Sequence, residues 1–326
     1  MTFPIVNPAV ENYLKQPPLE KKTFAQKVIR LLSASVSNPF LLISKFVSAS
    51  PLKFLLNDKS FIRLMYRAET GRKLNLKNPE RFNEKIQVLK LDREALDYWI
   101  FADKYEVRKY VATTIGVKYL IPLIKMYDYV EEIDFNELPN QFVLKCTHDS
   151  GTIIICRDKA HLNQDNVLKI LKNGLSRNYF YEHREPQYKK IKPRILCQEF
   201  ISTPEGDVPS DYKIFCFDGI PTYIEVDTDR FQKHSRVIYD VNWNKAPFSI
   251  KFVNPELKAP KPDNLDDMIE VSKKLANRFK FVRVDLFSLN NKIYFCELTF
   301  HHGAGYERFY PDEYDMRLGE MLNLNN

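Results

Sequence analysis

The sequence contains little glycine, no paired cysteine motif and no long apolar segment. Glycine supplies only 9 of the 326 residues, so few positions adopt positive φ at low cost, and a glycine-dense dinucleotide-binding or Walker loop is not expected. The five cysteines include no Cys-x-x-Cys pair and lie mostly in apolar, strand-like runs. This pattern indicates buried thiols in a reducing compartment, and neither a disulfide framework nor a zinc site.

The sequence also lacks the pattern of a membrane-spanning helix or a signal peptide. The uncharged stretch at residues 31–44 is fourteen residues long and is interrupted by Pro39, whereas a spanning helix needs about 20 apolar residues. No basic segment leads directly into an apolar stretch and a small-residue cleavage site. We therefore predict a cytoplasmic protein.

Positive charge is concentrated near the N-terminus. The net charge is +7, and residues 1–70 hold ten Lys or Arg against four Asp or Glu, so the rest of the chain is close to neutral. Because a nucleic-acid enzyme usually carries its basic excess on the main body, nucleic acid is not an expected partner. We predict a basic helical arm over residues 1–70 that packs on the main domain or on a partner. The alternative is peripheral contact with an anionic membrane, at the inner face of the plasma membrane.

The pattern of apolar residues predicts an α+β fold. Helical patterns occupy residues 78–116, including a run at 102–111, and recur at 164–178 and 265–279. Short apolar runs between them are typical of strands, and the turn at residues 289–291 indicates a hairpin. Strands are predicted at residues 119–127, 142–146, 152–156, 195–201, 212–217, 222–227, 237–239, 282–287 and 292–299. Mixed strands and helices with many hairpins favour α+β layers over a parallel sheet.

Three strands carry charged residues that suit a nucleotide site. Lys145 precedes a small polar turn that ends in Ser150-Gly151-Thr152, and backbone N–H groups of such a turn can bind phosphate oxygens; a solvated surface turn is the alternative. Glu199 interrupts an apolar strand whose backbone could bind an adenine edge, unless Glu199 faces water at a sheet edge. Lys213 shares a strand face with Asp211, which fits a nucleotide cleft or a simple salt bridge.

The strongest local signal is a pair of carboxylates in the last predicted hairpin. Asp285 and Glu297 each interrupt an apolar strand, and the hairpin can bring them side by side. Two inward carboxylates repel each other unless a cation joins them, and oxygen-only ligands suit Mg²⁺. Arg283 could pair with a phosphate oxygen. The adjacent His301 and His302 are not expected to bind zinc, because neighbouring strand residues point in opposite directions and no third ligand lies near.

The remaining polar segment, Asp227-Thr228-Asp229-Arg230, is open to more than one interpretation. It could bind an anionic substrate, or it could be a plain polar loop. Its Asp-x-Asp spacing also matches the metal motif of a glycosyltransferase that uses a nucleotide sugar. A non-catalytic binding module explains neither the carboxylate pair nor the lysines.

Taken in order, these pieces resemble the TupA-like (teichuronopeptide biosynthesis) ATP-grasp family of bacterial surface-polysaccharide biosynthesis. The resemblance covers roughly residues 70–320, and residues 1–70 lie outside it. The matching segments are residues 78–91, 102–111, 138–151, 211–221, 227–231 and 281–300. The family implies an ATP-grasp fold in which two α+β lobes clasp ATP. The expected units are the arm at 1–70, a helical subdomain at 71–140, a first lobe at 141–205 and a second lobe at 206–326.

The resemblance also implies roles for individual residues. ATP would be held by Arg108, Lys145, Thr147, Ser150, Gly151, Thr152 and Lys213, with Glu199, Phe200 and Ile201 in the adenine hinge. Mg²⁺ would be bound by Asp285 and Glu297; Thr299 stands where the wider ATP-grasp pattern has asparagine, and would be a weaker third ligand. Catalytic roles would fall to Arg283, Lys213 and Arg230.

The function implied by the resemblance is ATP-dependent ligation of a carboxylate to an amine through an acyl phosphate. The expected substrate is a uronic acid or amino acid of a surface glycan or its precursor. A sugar kinase would use the same ATP site, and a glycosyltransferase remains the other alternative.

Overall fold

The computed structural model of the chain describes residues 39–228, 235–251 and 258–324. The helices are α1 (Pro39–Ala49), α2 (Leu52–Leu55), α3 (Asp58–Thr70), α4 (Phe82–Lys90), α5 (Trp99–Ala102), α6 (Val107–Thr114), α7 (Gln164–Leu175), α8 (Phe180–His183), α9 (Leu265–Ala276) and α10 (Glu313–Met321). The strands are β1 (Leu123–Tyr127), β2 (Phe142–Cys146), β3 (Ile153–Cys156), β4 (Ile195–Glu199), β5 (Asp211–Phe217), β6 (Ile220–Thr228), β7 (Ser235–Asp240), β8 (Ser249–Ile250), β9 (Phe281–Leu289), β10 (Lys292–Thr299) and β11 (Phe309–Tyr310). No helix in these ranges is both long enough and apolar enough to cross a bilayer.

Two antiparallel sheets form the framework of the molecule. A four-stranded sheet has the order β1-β4-β2-β3, and a five-stranded sheet has the order β10-β9-β5-β6-β7. Helix α7 covers the smaller sheet, with Val167 and Leu171 in its core. Helix α9 covers one face of the larger sheet, where Met268 and Leu275 pack against apolar residues of β5 and β9.

The opposite face of the larger sheet changes character along its strands. At one end it is apolar, because Phe215, Phe217 and Phe281 pack against α4 and α10. At the other end it carries charged side chains, including Lys213 and Asp285, which are register partners on β5 and β9. Helices α4 and α10 therefore cover the apolar end of this face and leave its charged end available for a site.

The predicted strands are present, but the first begins at Leu123 instead of residue 119 and the fourth ends at Glu199 instead of residue 201. Two helix predictions are also wrong in detail. The run at 102–111 is broken, because the Asp103 carboxylate accepts the backbone N–H groups of Tyr105 and Glu106 at 2.7 and 3.2 Å. The helix expected from Asn78 begins at Phe82, because Glu84 accepts the N–H groups of the preceding segment. In both places a local side chain competes with the helical pattern for backbone hydrogen bonds.

The described part of the predicted arm is helical and is fixed to the main body by Arg184. This buried guanidinium forms an ion pair with Asp58 at 2.9 Å. It also donates to the carbonyl oxygens of Lys53 and Leu56, and it stacks over Phe61 at 4.3 Å. Helices α1–α3 are therefore held against the segment around α8. The first 38 residues of the arm lie outside the described ranges.

Gly319 is expected to be intolerant of any side chain, because α10 approaches the start of α4 closely. A Cβ atom at this position would lie 2.0 Å from the carbonyl oxygen of Glu80 and 2.9 Å from the backbone nitrogen of Phe82. Since backbone atoms must move to make room, Gly319→Ala should lower the free energy of unfolding by about 1–3 kcal/mol or more. Urea denaturation measures this, with Glu320→Ala at the neighbouring exposed position as the control. Equal midpoints for the two variants would contradict the close packing.

Candidate active site

The two predicted carboxylates lie side by side on neighbouring strands. Glu297 of β10 is the register partner of Asp285 of β9. Regular pairing would oppose Cys296 to Asp285, but a β-bulge between Phe295 and Glu297 shifts the register by one residue. The bulge turns Glu297 onto the charged face of the sheet, a use of bulges that is common next to active sites.

Arg283 connects these carboxylates. Its Nε and Nη2 atoms donate to the two carboxylate oxygens of Asp285 at 2.7 and 2.6 Å. Nη2 also lies 3.5 Å from Oε1 of Glu297 and donates to the hydroxyl of Thr299 at 3.2 Å. Thr299 in turn donates to Glu297 at 3.2 Å. Arg283, Asp285, Glu297 and Thr299 thus form one cluster, which we call the carboxylate cluster.

The pKa values of the two acids of the carboxylate cluster shift in opposite directions. Burial raises the pKa of Asp285 to about 7, although Arg283 acts in the opposite direction. Burial also acts to raise the pKa of Glu297, but the positive charges of Arg283 and Lys104 hold it below its usual value. Glu297 is therefore ionised at neutral pH, and its side chain is 42% exposed.

The donor set of the carboxylate cluster fits Mg²⁺. Beside the Arg283 guanidinium, its possible ligand atoms are carboxylate and hydroxyl oxygens, and Mg²⁺ is commonly held by one or two carboxylates together with waters and phosphate oxygens. In the described ranges no group of three or more His, Cys, Asp or Glu side chains is arranged to hold a metal ion. A dedicated all-protein cage is thus absent from that part of the chain, and a shared shell is the arrangement that these residues allow.

Lys213 of β5 lies on the strand next to Asp285 and forms salt bridges with two buried carboxylates. Its Nζ atom is 2.5 Å from Asp211 and 2.6 Å from Asp227. Arg236 also binds Asp227, at 3.1 Å, so both cations hold this aspartate in salt bridges. The salt-bridge alternative for Lys213 is therefore realised, and its predicted contact with the triphosphate stays a prediction.

This arrangement bears on the Asp-x-Asp interpretation. The Asp227 carboxylate is held by Lys213 and Arg236, one on each oxygen. Asp229 and Arg230 lie outside the described ranges, and the catalytic role predicted for Arg230 stays a prediction.

The predicted phosphate turn follows β2 as expected, but only its tip is accessible. Ser150 and Gly151 are exposed. The Thr147 and Thr152 side chains are buried: Thr147 donates to the carbonyl oxygen of Lys192 at 3.4 Å, and Thr152 donates to Asp149. The Thr152 hydroxyl therefore stabilises the turn itself, and the Thr147 hydroxyl connects the turn to the segment before β4. A phosphate would meet the turn at the exposed Ser150 and Gly151.

Three cations converge on a crevice between the two sheets. Lys145 of β2 lines it together with Arg108 and Lys104, and Phe295 and Cys296 of β10 form the opposite wall. The crevice holds only about 20 Å³, roughly the space of one water molecule. A nucleotide would enter here only if the two sheets moved apart.

The predicted adenine hinge lies beside this crevice. Glu199 ends β4, which is an inner strand of the smaller sheet, yet its side chain is exposed. Its backbone N–H donates to the carbonyl oxygen of Pro122 at 3.0 Å. Phe200 and Ile201 follow and are half-buried. The assignment of Glu199, Phe200 and Ile201 to an adenine hinge stays a prediction.

A larger cavity of about 690 Å³ opens beside the carboxylate cluster. Arg283, Glu297 and Thr299 form part of its wall, and Ser150 reaches it from the phosphate turn. Further lining residues are Met65, Glu69, Tyr179, His183, Glu185, Tyr188, Lys251, His301, Gly303, Ala304, Tyr306, Glu307, Arg308 and Tyr310. Its volume is in the range of small-molecule binding sites.

The sequence analysis did not identify Lys104 in the crevice or Glu307 in the larger cavity. Lys104 donates to the carbonyl oxygen of Asp149 and lines the crevice, although its segment was recognised. Glu307 accepts hydrogen bonds from Arg236 and Lys251 at 2.9 and 3.2 Å. The only available signal was the position of Lys104 in a matching segment. Nothing local marks Glu307, because its partners are distant in sequence.

Comparison with known proteins gave one family and a set of solved structures, whereas no curated protein matched. The D-alanine–D-alanine ligase of Bacillus anthracis complexed with ATP is 12% identical to this chain. The match covers 61% of this chain and 53% of the ligase, with a TM-score of 0.35. The chain thus spans about half the length of that ligase. The D-alanine–D-alanine ligase of Helicobacter pylori is 15% identical, with coverages of 74% and 66% and a TM-score of 0.40. A RimK domain ATP-grasp protein of Sphaerobacter thermophilus is 10% identical, with coverages of 71% and 69% and a TM-score of 0.39.

These structural similarities are too low to support any conclusion about this chain, whereas the family match is extensive. The sequence model of TupA-like ATP-grasp proteins matches residues 84–323, about three quarters of the sequence. The match confirms the family predicted from the motifs and, with it, the α+β ATP-grasp fold. The chain belongs to the TupA-like ATP-grasp family.

Proposed function

We propose that this chain is an ATP-dependent carboxylate–amine ligase that works through an acyl phosphate. The observation that carries the proposal is the position of the carboxylate cluster. It lies at the wall of a cavity large enough for a substrate, next to a crevice lined by Lys104, Arg108 and Lys145. Cations in the crevice suit a triphosphate, and the carboxylate cluster suits the ion that accompanies it. Family membership supports the same assignment.

Asp285, Glu297 and Thr299 would hold Mg²⁺, which when bound would neutralise phosphate oxygens of ATP. A substrate carboxylate in the cavity forms a bond to the γ-phosphorus while the bond from that phosphorus to the bridging oxygen breaks, and ADP leaves. Arg283 stabilises the charge that develops on the transferred oxygens. The amine nitrogen then bonds to the acyl carbon, the carbon–oxygen bond to phosphate breaks, and the amine loses a proton.

The cavity suits a polar substrate with more than one kind of group. Arg308 lines it with positive charge that suits a carboxylate, whereas Glu69 and Glu185 line it with negative charge that suits an amine. Tyrosine side chains in the wall offer stacking surface for a sugar ring. These features, together with the family, support a uronic acid or amino acid of a surface glycan or its precursor as the substrate.

Product analysis tests the proposal. With uronic acids and amino acids as carboxylates and a panel of amines, the ligase should release ADP and inorganic phosphate only when both substrates are present. ADP with a stable phosphorylated product, and no phosphate, would instead indicate a sugar kinase. Stabilisation by nucleotide sugars but not by ATP in a thermal-shift assay would indicate a glycosyltransferase.

Lys145→Met is expected to weaken ATP binding by roughly 10–100-fold, because a charge-assisted contact to phosphate contributes about 1.5–3 kcal/mol. Calorimetric titration with ATP and Mg²⁺ measures the effect. Lys125→Met serves as the matched control, since Lys125 is on β1 and pairs with the exposed Glu137. Equal affinities of the Lys145 and Lys125 variants would remove Lys145 from the nucleotide site.

A further inference from the structure

Helices α1 and α2 expose an unusual concentration of large apolar side chains. Six of the twelve exposed large hydrophobic residues in the described ranges lie within residues 40–55, and they are 38–79% exposed. We call this set the apolar ridge: Phe40, Ile43, Phe46, Leu52, Phe54 and Leu55. Isolated exposed apolar residues are ordinary, whereas a contiguous group marks an interaction surface.

Helix α1, which carries part of the apolar ridge, packs against α3 through its buried side. Helix α1 buries Ser44 and Val47 and contributes Val47 to a core that it shares with Phe61 and Met65 of α3. Phe40, seven residues before Val47, lies on the same side of α1 as Val47, and Ile43 and Phe46 extend that apolar side outward. The apolar side of α1 is thus wider than its contact with α3 alone requires.

The charges along these helices favour an anionic partner. Residues 39–70 contain five basic residues and two acidic residues, Asp58 and Glu69, and Asp58 is engaged by the buried Arg184. Lys45, Lys59 and Arg63 are exposed. Lys53 pairs with Glu182 at 3.3 Å, and the Arg67 guanidinium lies 5.5 Å from the Phe40 ring. Apolar side chains fringed by cations are typical of surfaces that lie in the headgroup region of anionic bilayers.

We propose that the apolar ridge docks this protein peripherally on an anionic lipid bilayer. The eleven-residue α1 would lie in the interface with its phenylalanine side chains among the acyl chains, and the basic residues would contact lipid phosphates. Because α3 contributes Met65 and Glu69 to the large cavity, docking would hold that cavity close to the membrane surface. This inference is independent of the proposed ligase activity.

Vesicle sedimentation of the full chain tests the proposal. The wild-type protein should bind vesicles of phosphatidylcholine with phosphatidylglycerol and should bind pure phosphatidylcholine at least tenfold more weakly, with the difference reduced by salt. The triple variant Phe46→Ser, Phe54→Ser, Leu55→Ser should lose at least tenfold in binding to the anionic vesicles. The matched control is Val117→Ser with Ile220→Ser, which removes two exposed apolar side chains elsewhere and should bind as the wild type does.

Two further measurements test whether the triple variant folds and whether residue 46 enters the bilayer. Unchanged circular dichroism and melting temperature of the triple variant would show that it folds, because the replaced side chains are exposed. Phe46→Trp should show a blue-shifted tryptophan emission only with anionic vesicles. Absence of wild-type binding, or equal binding by the triple variant, would overturn the proposal. A wild-type dimer that the triple variant dissociates without vesicles would also overturn it, because the ridge would then bind a second copy.

Discussion

Glu297→Gln is expected to lower the turnover of ATP by roughly 10³-fold, since it removes the ionised and accessible carboxylate of the cluster. The amide is nearly isosteric and keeps the hydrogen bond from Thr299, so folding should be little affected. Asp285→Asn should cause a comparable loss and should also weaken folding, because Asp285 accepts two hydrogen bonds from the buried Arg283. Amine-dependent release of ADP measures turnover.

Glu137→Gln provides the control for these two variants. Its side chain is 59% exposed and pairs with Lys125 on the surface, so turnover should stay at the wild-type level. If Glu297→Gln kept more than about a tenth of wild-type turnover, the carboxylate would not hold a catalytic metal ion, since losses of single catalytic groups are far larger.

Arg283→Lys is expected to lower turnover by roughly 10²–10³-fold. A lysine keeps the charge but lacks the planar guanidinium. It therefore cannot form two parallel hydrogen bonds with Asp285 while also contacting a phosphate oxygen. Arg283→Gln should also lower the free energy of unfolding by about 3–5 kcal/mol, because the buried Asp285 would lose its cation. Steady-state kinetics and urea denaturation separate the two effects.

Arg317→Lys is the matched control, since Arg317 forms an exposed ion pair with Glu313 at 2.8 Å. It should change neither quantity measurably. Full turnover by Arg283→Lys together with reduced stability would show that Arg283 only supports the fold.

The fold was largely predictable because apolar periodicity and turn residues are local. The hairpin of β9 and β10 follows from two apolar runs around Asn290 and Asn291, and both asparagines adopt positive φ as such a turn requires. Helix ends were less predictable where one side chain decides them, as Asp103 does before α6. The two-residue strands β8 and β11 carry too few residues to show a pattern.

The site was predictable in its residues but not in its geometry. Alternation alone would place Glu297 away from Asp285, and only the bulge at Cys296 brings them onto one face. No pattern in the sequence predicts this bulge. Likewise the large cavity combines Glu69 of α3 with His301 and Arg308 near the C-terminus; their proximity depends on tertiary packing, which a single sequence does not display.

The most direct test is the position of a metal ion in crystals of the enzyme with Mn²⁺ and a non-hydrolysable ATP analogue. Anomalous scattering should place Mn²⁺ within about 2.3 Å of carboxylate oxygens of Asp285 and Glu297, next to the analogue's phosphates. A metal–nucleotide complex bound elsewhere, with both carboxylates outside its coordination shell, would contradict the account.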